Sequence, residues 1–331
     1  MTKITIVLLI KNAEQFLSET LDAIFQQQQK GSFEVLAIDS GSKDATLDIL
    51  KGYLVRVINI PPKKFNHGAT RNLAVENAHP DSEFIVFLSQ DAQPRDEYWL
   101  SNLLFPLQQD LKIAGTFSRH VPRPGSSPSL IRQLTTRWQT GGEQPLLKEL
   151  PEDLEEYERN KFYYIYFSNT SSAIRKDVWL EHPFNPVNFA EDVEWADRVL
   201  RAGYKIVFEP TSVVIHSHDY STIEQFRQNV DHTHAMVVLF DPSIYHDRWI
   251  WLKLLFSIPL EVWWDWKFQF LSGFHENVTL LQGIKWLVRS PFWHLASVLG
   301  GWVGANLDCF PERWRIAFTR QERIRLDKET V

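Results

Sequence analysis

Continuous apolar runs alternate with helically spaced apolar positions along the first part of the chain. Residues 4–10 (ITIVLLI) form the first run. Such a run between polar boundaries reads as a strand buried on both faces. Phe16, Leu17, Leu21, Ile24 and Phe25 then recur at helical spacing within 12–29. A second strand is predicted over 33–38, a helix over 47–54 with Asp44 as its N-cap, and a third strand over 55–60, ended by Pro61-Pro62. A helix follows over 69–78. Phe84–Leu88 is five apolar residues running straight into Ser89, Gln90 and Asp91, with Pro94 closing the element. Strands separated by helices predict an α/β fold with a mostly parallel, doubly wound sheet.

The pattern breaks at 119–160. Pro122, Pro124, Gly125 and Pro128 mark a loop, followed by a short helix over 130–138, the loop 141–145 and an acidic run over 149–158. An excursion of this length is expected to be a lid or a substrate-selecting loop; the other reading is a solvated insertion. Order returns at 162–167. A helical piece starts at Val178, a longer helix covers 189–200 with Gly203 as its stop, and strands are expected over 205–208 and 212–215, followed by His216-Ser-His218. Beyond about 240 the character changes, because nine of the 13 Trp lie there. The chain therefore divides into a domain over 1–240 and a helical, Trp-rich extension over 241–331.

Composition narrows the function. The 331 residues are 44% hydrophobic and 23% charged, enough for a sizeable core. A net charge of -6 argues against a nucleic-acid partner. A single cysteine, Cys309, excludes a disulfide framework and a cysteine-based zinc site, and fits a reducing, cytoplasmic compartment. Lys3 precedes a short apolar run with no small-residue cleavage site after it, so no signal peptide is read there. No apolar run reaches the roughly 20 residues of a spanning helix. Neither a dinucleotide fingerprint nor a Walker loop follows a strand, so a site on this sheet must work through side chains and metal.

The candidate chemistry lies at element ends. Asp91 falls just past the carboxyl end of a central strand, where ligands bind in open α/β sheets. A carboxylate there can hold a divalent cation, which in turn could hold a diphosphate; it can also simply turn or cap the chain. Asp39 and Asp44 end or follow the second strand. Glu191 and Asp192 open a helix, where one can cap while the other serves as a general base. His216 and His218 alternate along an extended segment, so both face one side; they read as metal ligands beside Asp91 or as two surface histidines. Lys63, Lys64, His67 and Arg71 form a basic cluster that suits a diphosphate or a solvated loop.

Five landmarks in order carry a resemblance. They are Asn12 with Glu14, Ile38-Asp-Ser-Gly-Ser-Lys-Asp-Ala-Thr46, Ser89-Gln-Asp91, Ala190-Glu-Asp192 and Val214-Ile-His216. Over roughly residues 3–225 the chain resembles the inverting glycosyltransferases of glycosyltransferase family 2, which have the A-type fold. Phe65-x-His-Gly-x-Thr-Arg-Asn72 and Ser89-Gln-Asp-Ala92 are most similar to rhamnosyltransferase-type members, which transfer rhamnose from dTDP-rhamnose in bacterial surface polysaccharide assembly. The resemblance implies a catalytic domain over 1–240 that binds a nucleotide-sugar donor through Asn12, Glu14, Asp39, Ser40, His67, Arg71, Gln90 and Asp91. Asp39 would face the nucleobase. Asp91 would hold the metal, Mn or Mg, and in the reading of the residues themselves His216 or His218 could complete its coordination. Asp192, beside Glu191, would take the proton from a glycan or lipid-linked acceptor. Two departures stand out: Ser89 replaces the first Asp of Asp-x-Asp, and Leu9-Ile10 replaces the usual Pro-Thr. A nucleotidyltransferase is the other enzyme reading, although no glycine-rich loop follows the first strand. A degenerate nucleotide-sugar-binding scaffold is the non-enzymatic one, supported by Ser89 alone.

The extension carries Trp249, Trp251, Trp263, Trp264 and Trp266, with Pro259 and several charges between them, and Arg313, Arg315, Arg320, Arg323 and Arg325 further on. Trp and Tyr favour the lipid–water boundary. The extension is expected to dock peripherally on the inner face of the plasma membrane. The alternatives are packing on the catalytic domain or a homodimer interface.

Overall fold

The computed structural model describes residues 3–28, 32–136, 142–187, 189–240, 245, 247–271 and 280–320. In chain order the elements are β1 (Lys3–Ile10), α1 (Leu17–Phe25), β2 (Phe33–Asp39), α2 (Thr46–Leu50), β3 (Val55–Asn59), α3 (His67–Glu76), β4 (Ser82–Ser89), β5 (Gln93–Pro94), α4 (Trp99–Gln109) and β6 (Ile113–Val121). Then come α5 (Pro128–Thr136), β7 (Leu146–Lys148), α6 (Leu154–Arg159), α7 (Lys161–Tyr164), β8 (Ser171–Arg175), α8 (Lys176–Glu181), α9 (Glu191–Arg201) and β9 (Lys205–Ile215). The remainder is helical: α10 (Thr222–Phe240), α11 (Arg248–Leu271), α12 (Leu280–Ala305) and α13 (Glu312–Phe318). Trp138, Gly141, Arg323 and Arg325, named above, lie outside the described residues.

The chain forms two compact units, Met1–Val121 with Leu134–His216, and Pro122–Gln133 with Ser217–Val331. The helix Thr222–Phe240 thus belongs with the Trp-rich extension rather than with the sheet.

The first unit is built on one nine-stranded sheet of order β3-β2-β1-β4-β8-β6-β9-β5, with β7 on β9. Its β3-β2-β1-β4 half is parallel, as the apolar runs predict. Ile6, Leu8, Val35, Ala37, Val86 and Leu88 are fully buried there, as strands covered on both faces must be. The other half departs from a parallel sheet. β8 enters antiparallel to both β4 and β6, which makes the sheet mixed. β8 and β6 were not legible as strands. β8 is a short Ser-Ser-Ala-Ile-Arg run, and β6 reads Ile-Ala-Gly-Thr-Phe-Ser-Arg-His-Val, with small and polar residues throughout. The two short strands expected over 205–208 and 212–215 are one strand, β9. Its register against β6 jumps from Ser118↔Glu209 to Arg119↔Val213, so the residues around Pro210 form an irregularity, where a proline is tolerated within a sheet.

Local helix boundaries also shift. Asp44 is not the N-cap of α2. Ala45 is, and the Asp44 carboxylate instead accepts from the backbone N–H of Thr46 at 3.1 Å and of Glu14 at 3.2 Å. After Pro94 the helix α4 does not start until Trp99, and the Arg95 N–H instead bonds Val213 O of β9.

In the second unit α10 packs closely against α12. Gly300 and Gly304 make this approach possible: a Cβ at Gly300 would overlap Phe226 O, and one at Gly304 would lie 3.0 Å from Thr233 Cβ. A small apolar core of Val230, Val303 and Leu307 fills the seam, with Phe226, Phe310 and Phe318 around it. Its polar centre is Asp265 of α11, 1% exposed. That carboxylate accepts from Ser129 at 2.5 Å, Arg132 at 2.7 Å and Ser290 at 2.7 Å, and lies 2.8 Å from His294 Nε2.

Candidate active site at the carboxyl edge of the sheet

The parallel register sets the ends of β1, β2 and β4 side by side, with Ile10↔Asp39 and Leu9↔Ser89. Every loop that follows these strands therefore opens on one edge. β8 runs the other way, so its preceding loop, carrying Asn169, reaches the same edge; Ser89 N–H bonds Thr170 O at 2.8 Å.

Several predicted donor-site residues build this edge. Asn12 sits in the left-handed region at φ 48, and its Oδ1 accepts from Lys43 N at 2.9 Å. Glu14 Oε2 accepts from Ala45 N at 3.0 Å. Together they tie the loop after β1 to the loop after β2. Asp39 is buried, and its carboxylate accepts from Gly41 N at 2.9 Å and from the Ser42 hydroxyl at 2.5 Å. Gly41 supplies the turn at φ +90, a conformation that L side chains rarely adopt. Ser40 is buried and donates to Ile10 O. Gln90 extends the β1–β4 pairing with its amide, accepting from Lys11 N at 2.8 Å and donating to Lys11 O at 3.2 Å.

The Phe65–Asn72 run has a physical reason at nearly every position. Asn66 caps α3 by accepting from Ala69 N at 3.0 Å. A Cβ at Gly68 would overlap Asn185 O, so only glycine lets α3 meet the loop before α9. Asn72 Oδ1 accepts from Trp179 Nε1 and Phe184 N, and its Nδ2 donates to Phe184 O at 2.7 Å. His67 is half-buried with its ring 4.9 Å from Phe65.

Arg71 is brought to Glu191. Their ion pair is 2.5 Å, with side chains 10% and 6% exposed, and the guanidinium also lies 5.6 Å over the Phe87 ring. Burial opposes the charge on Glu191, but Arg71 and then His67 outweigh it, so its carboxyl sits below the usual range. Asp192 behaves oppositely. Burial first, and the adjacent Glu191 charge second, push it up to about 7. It is half-buried and accepts from the Asn169 N–H at 3.0 Å. Asn169, 1% exposed, also sends its Nδ2 toward Glu191 at 3.4 Å and so holds both carboxylates. Neither carboxylate caps α9. The N-cap is Ala190, in the left-handed region at φ 60, where a non-glycine residue costs roughly 1–2 kcal/mol. Strain of this kind persists where the surroundings over-determine it.

Asp91 and His216 come together, with Oδ1 3.6 Å from Nε2 and both side chains mostly buried. His218 lies two residues further along, exposed, in the second unit. One neighbour was missed in the sequence. His120 on β6 is 7% exposed with its ring centroid 5.6 Å from that of His216, and its Nε2 has no partner. Burial pushes it down to about 4, so it is a neutral imidazole with a free nitrogen. A carboxylate oxygen with neutral imidazoles suits Mn-type ions, and an orphaned buried nitrogen beside the pair fits a site that takes a cation.

The chain matches the family model described as Glycosyl transferase family 2 over residues 5–170. It is 30% identical over 254 residues to the O-antigen chain rhamnosyltransferase RfbN of Salmonella typhimurium, covering 76% of this chain and 74% of that one. It is also 30% identical over 231 residues to the O-antigen chain rhamnosyltransferase WbaN of Salmonella anatum, covering 69% and 67%. Among solved structures, the fold is similar to the mannosyltransferase PcManGT of Pyrobaculum calidifontis in complex with GDP-Man and Mn2+ (TM-score 0.56, 15% identity, 92% of this chain and 86% of that one). It is similar too to S. aureus TarS 1-349 in complex with UDP (TM-score 0.51, 15% identity, 99% and 89%). The mixed sheet with its loops gathered on one edge is thus the A-type fold, and the chain belongs to glycosyl transferase family 2 as a rhamnosyltransferase-like member.

Proposed function

We propose that this glycosyltransferase moves L-rhamnose from dTDP-rhamnose to a glycan or lipid-linked acceptor in bacterial surface polysaccharide synthesis, with inversion at the anomeric carbon. The sugar and the acceptor class rest on the likeness to two O-antigen rhamnosyltransferases. The reading puts the reaction on the cytoplasmic side, in keeping with a chain whose one cysteine suits a reducing compartment.

The observation that carries the mechanism is the split between two adjacent carboxylates. Glu191 is neutralised by Arg71 and anchors the start of α9. Asp192 keeps a raised proton affinity and some solvent access, the properties of a general base working near neutral pH. It takes the proton from the acceptor hydroxyl as that oxygen attacks the anomeric carbon from the face opposite the nucleotide. The bond to the diphosphate breaks, and the electron pair leaves with dTDP. Asn169 holds Asp192 in place, and Arg71 makes its ion pair with Glu191, so both are positioning residues. Asp91 and His216 would hold a divalent Mn or Mg ion, which when bound carries charge on the departing diphosphate. Asp39 and the Gly41–Ser42 turn face the nucleobase, with Asn12 and Glu14 fixing the two loops around it. His67 borders the sugar-diphosphate.

The test is a thermal-shift screen of the full chain with dTDP-, UDP- and GDP-sugars in Mn-containing buffer, followed by NMR of the product's anomeric configuration. A ligand at about 100 times its Kd stabilises by about 2.7 kcal/mol. The largest shift is expected with dTDP-rhamnose, and the product is inverted. A larger shift with a UDP- or GDP-sugar, or retained configuration, overturns the assignment.

A further inference from the structure

Within the second unit, α11 and α12 present an apolar surface that stays exposed among the described residues. Ordinary exposed helices are apolar on one face. α11 is apolar around its whole circumference, yet only Trp251 and Asp265 of its described side chains are buried. Phe256 is 83% exposed, Leu260 54% and Trp263 49%. α12 carries an outward stripe at Leu281, Ile284, Val288, Phe292, Leu299 and Trp302, recurring every three or four residues or a multiple of that spacing. This stripe runs along the helix while its Gly300–Gly304 seam faces α10. At about 1.5 Å per residue it is roughly 30 Å long.

Charge decides what covers it. The two helices carry Lys253, Lys267 and Lys285, while Arg289 is paired with Asp219 at 3.5 Å. Their only acids are Glu261 and Asp265, and Arg132 holds both, at 2.6 and 2.7 Å. The outward charge is therefore cationic. Lys267 Nζ sits 4.9 Å from the Trp263 ring and 4.8 Å from that of Trp264, a cation on aromatic faces at the edge of the apolar surface. Two copies meeting through such a face would bring like charges together. An anionic bilayer instead offers headgroup phosphates for the lysines and an acyl boundary for the Trp, Phe and Leu side chains. No helix among the described residues is long and apolar enough to cross a membrane. The Asp265–Arg132 hub and Pro259 also fall in the middle of α11. The orientation that suits both helices is in the plane of the interface.

We infer that the α11–α12 face is a peripheral docking surface for an anionic lipid bilayer, with Phe256, Trp263 and Phe292 entering the acyl boundary and Lys253, Lys267 and Lys285 meeting the headgroups. This rests on no assignment of donor or acceptor, so it can fail without the proposed reaction failing, and the reverse.

The test is flotation of the full chain with vesicles of phosphatidylcholine alone or mixed with phosphatidylglycerol, at low and high salt. The wild-type chain is expected to float with the anionic vesicles, and less at high salt. Phe256→Glu/Phe292→Glu and, separately, Lys253→Glu/Lys285→Glu should each lower the bound fraction about tenfold or more, given about 1 kcal/mol per basic residue near the surface. These side chains are exposed, and unchanged circular dichroism and Tm confirm that the variants fold. Absence of wild-type flotation overturns the inference, as does equal flotation of the variants. So does a wild-type dimer in light scattering that Phe256→Glu/Phe292→Glu splits without any change in flotation.

Discussion

Arg71 Nη1 lies 2.5 Å from Glu191 Oε1, while Asp192, the next residue, takes its hydrogen bonds from the backbone N–H groups of Asn169 and Val193. One carboxylate is spent on structure and its neighbour is left basic. Asp192→Asn should therefore lower kcat by about 10²–10⁴-fold, the usual worth of a general base, and leave the thermal shift from the donor nearly unchanged. Transfer by the variant at a near-normal rate would show that the base lies elsewhere.

The raised proton affinity of Asp192 has two opposite pH signatures. A base must be unprotonated, so kcat should climb as pH rises through about 7 and then level off. Stability moves the other way. The folded chain holds this proton well above the ordinary carboxyl value of 3.8 at which the unfolded chain releases it, so stability falls as pH rises from there toward about 7. Asp192→Asn removes that loss. The variant should gain Tm over wild type at pH 8 relative to its standing at pH 4, which paired melts would reveal.

Breaking the buried pair from one side strands the other charge. Arg71→Met should destabilise by about 3–5 kcal/mol in urea unfolding, whereas Arg71→Met with Glu191→Met should be far milder. If the double variant is no more stable than the single one, the pair is not what holds the start of α9.

Asp91 and His216 are expected to bind Mn cooperatively with a nucleoside diphosphate. His216→Ala and Asp91→Asn should each weaken Mn binding, read by electron paramagnetic resonance with dTDP present, by about 10–100-fold. Equal binding in both variants would remove the metal from this corner. His120→Phe keeps an aromatic ring but deletes the free nitrogen, and a milder loss of Mn affinity is expected.

Asp265 gives the second unit its own acid sensitivity. Burial alone would raise its carboxyl, but the bonds from His294, Ser129 and Ser290 outweigh it and hold it at about 2. A depressed carboxyl adds stability above the unfolded value of 3.8 that is lost as pH falls toward about 2. Tryptophan fluorescence, dominated by the Trp-rich extension, should report unfolding in that window. In Asp265→Asn the transition should already be weakened at neutral pH, because Arg132 loses its buried partner.

The parallel half of the sheet was legible because local pattern encodes it. Ile4–Ile10 and Phe84–Leu88 are apolar at consecutive positions, which only burial on both faces explains. Asp39, Asp91 and the Glu191-Asp192 pair were legible as element ends for the same reason. β6 and β8 were not, since small and polar residues such as Ser171, Ser172 and Gly115 carry no period. Gly115 stays small because a Cβ there would lie 2.9 Å from the Phe167 ring, a neighbour far along the chain.

By itself the sequence determined which segments are strands of the parallel half, where the acids stand along them, and the family to which their order belongs. Local periodicity and motif spacing suffice for that. Tertiary structure alone decided which acid is free. Arg71 and Glu191 are far apart in the chain, and so are Asn169 and the loop it supports. Only the antiparallel entry of β8 and the close approach allowed by Gly68 bring them together. The proton affinity of Asp192 follows from that assembly, because burial and a neighbouring charge are properties of the packed protein rather than of any residue in the chain.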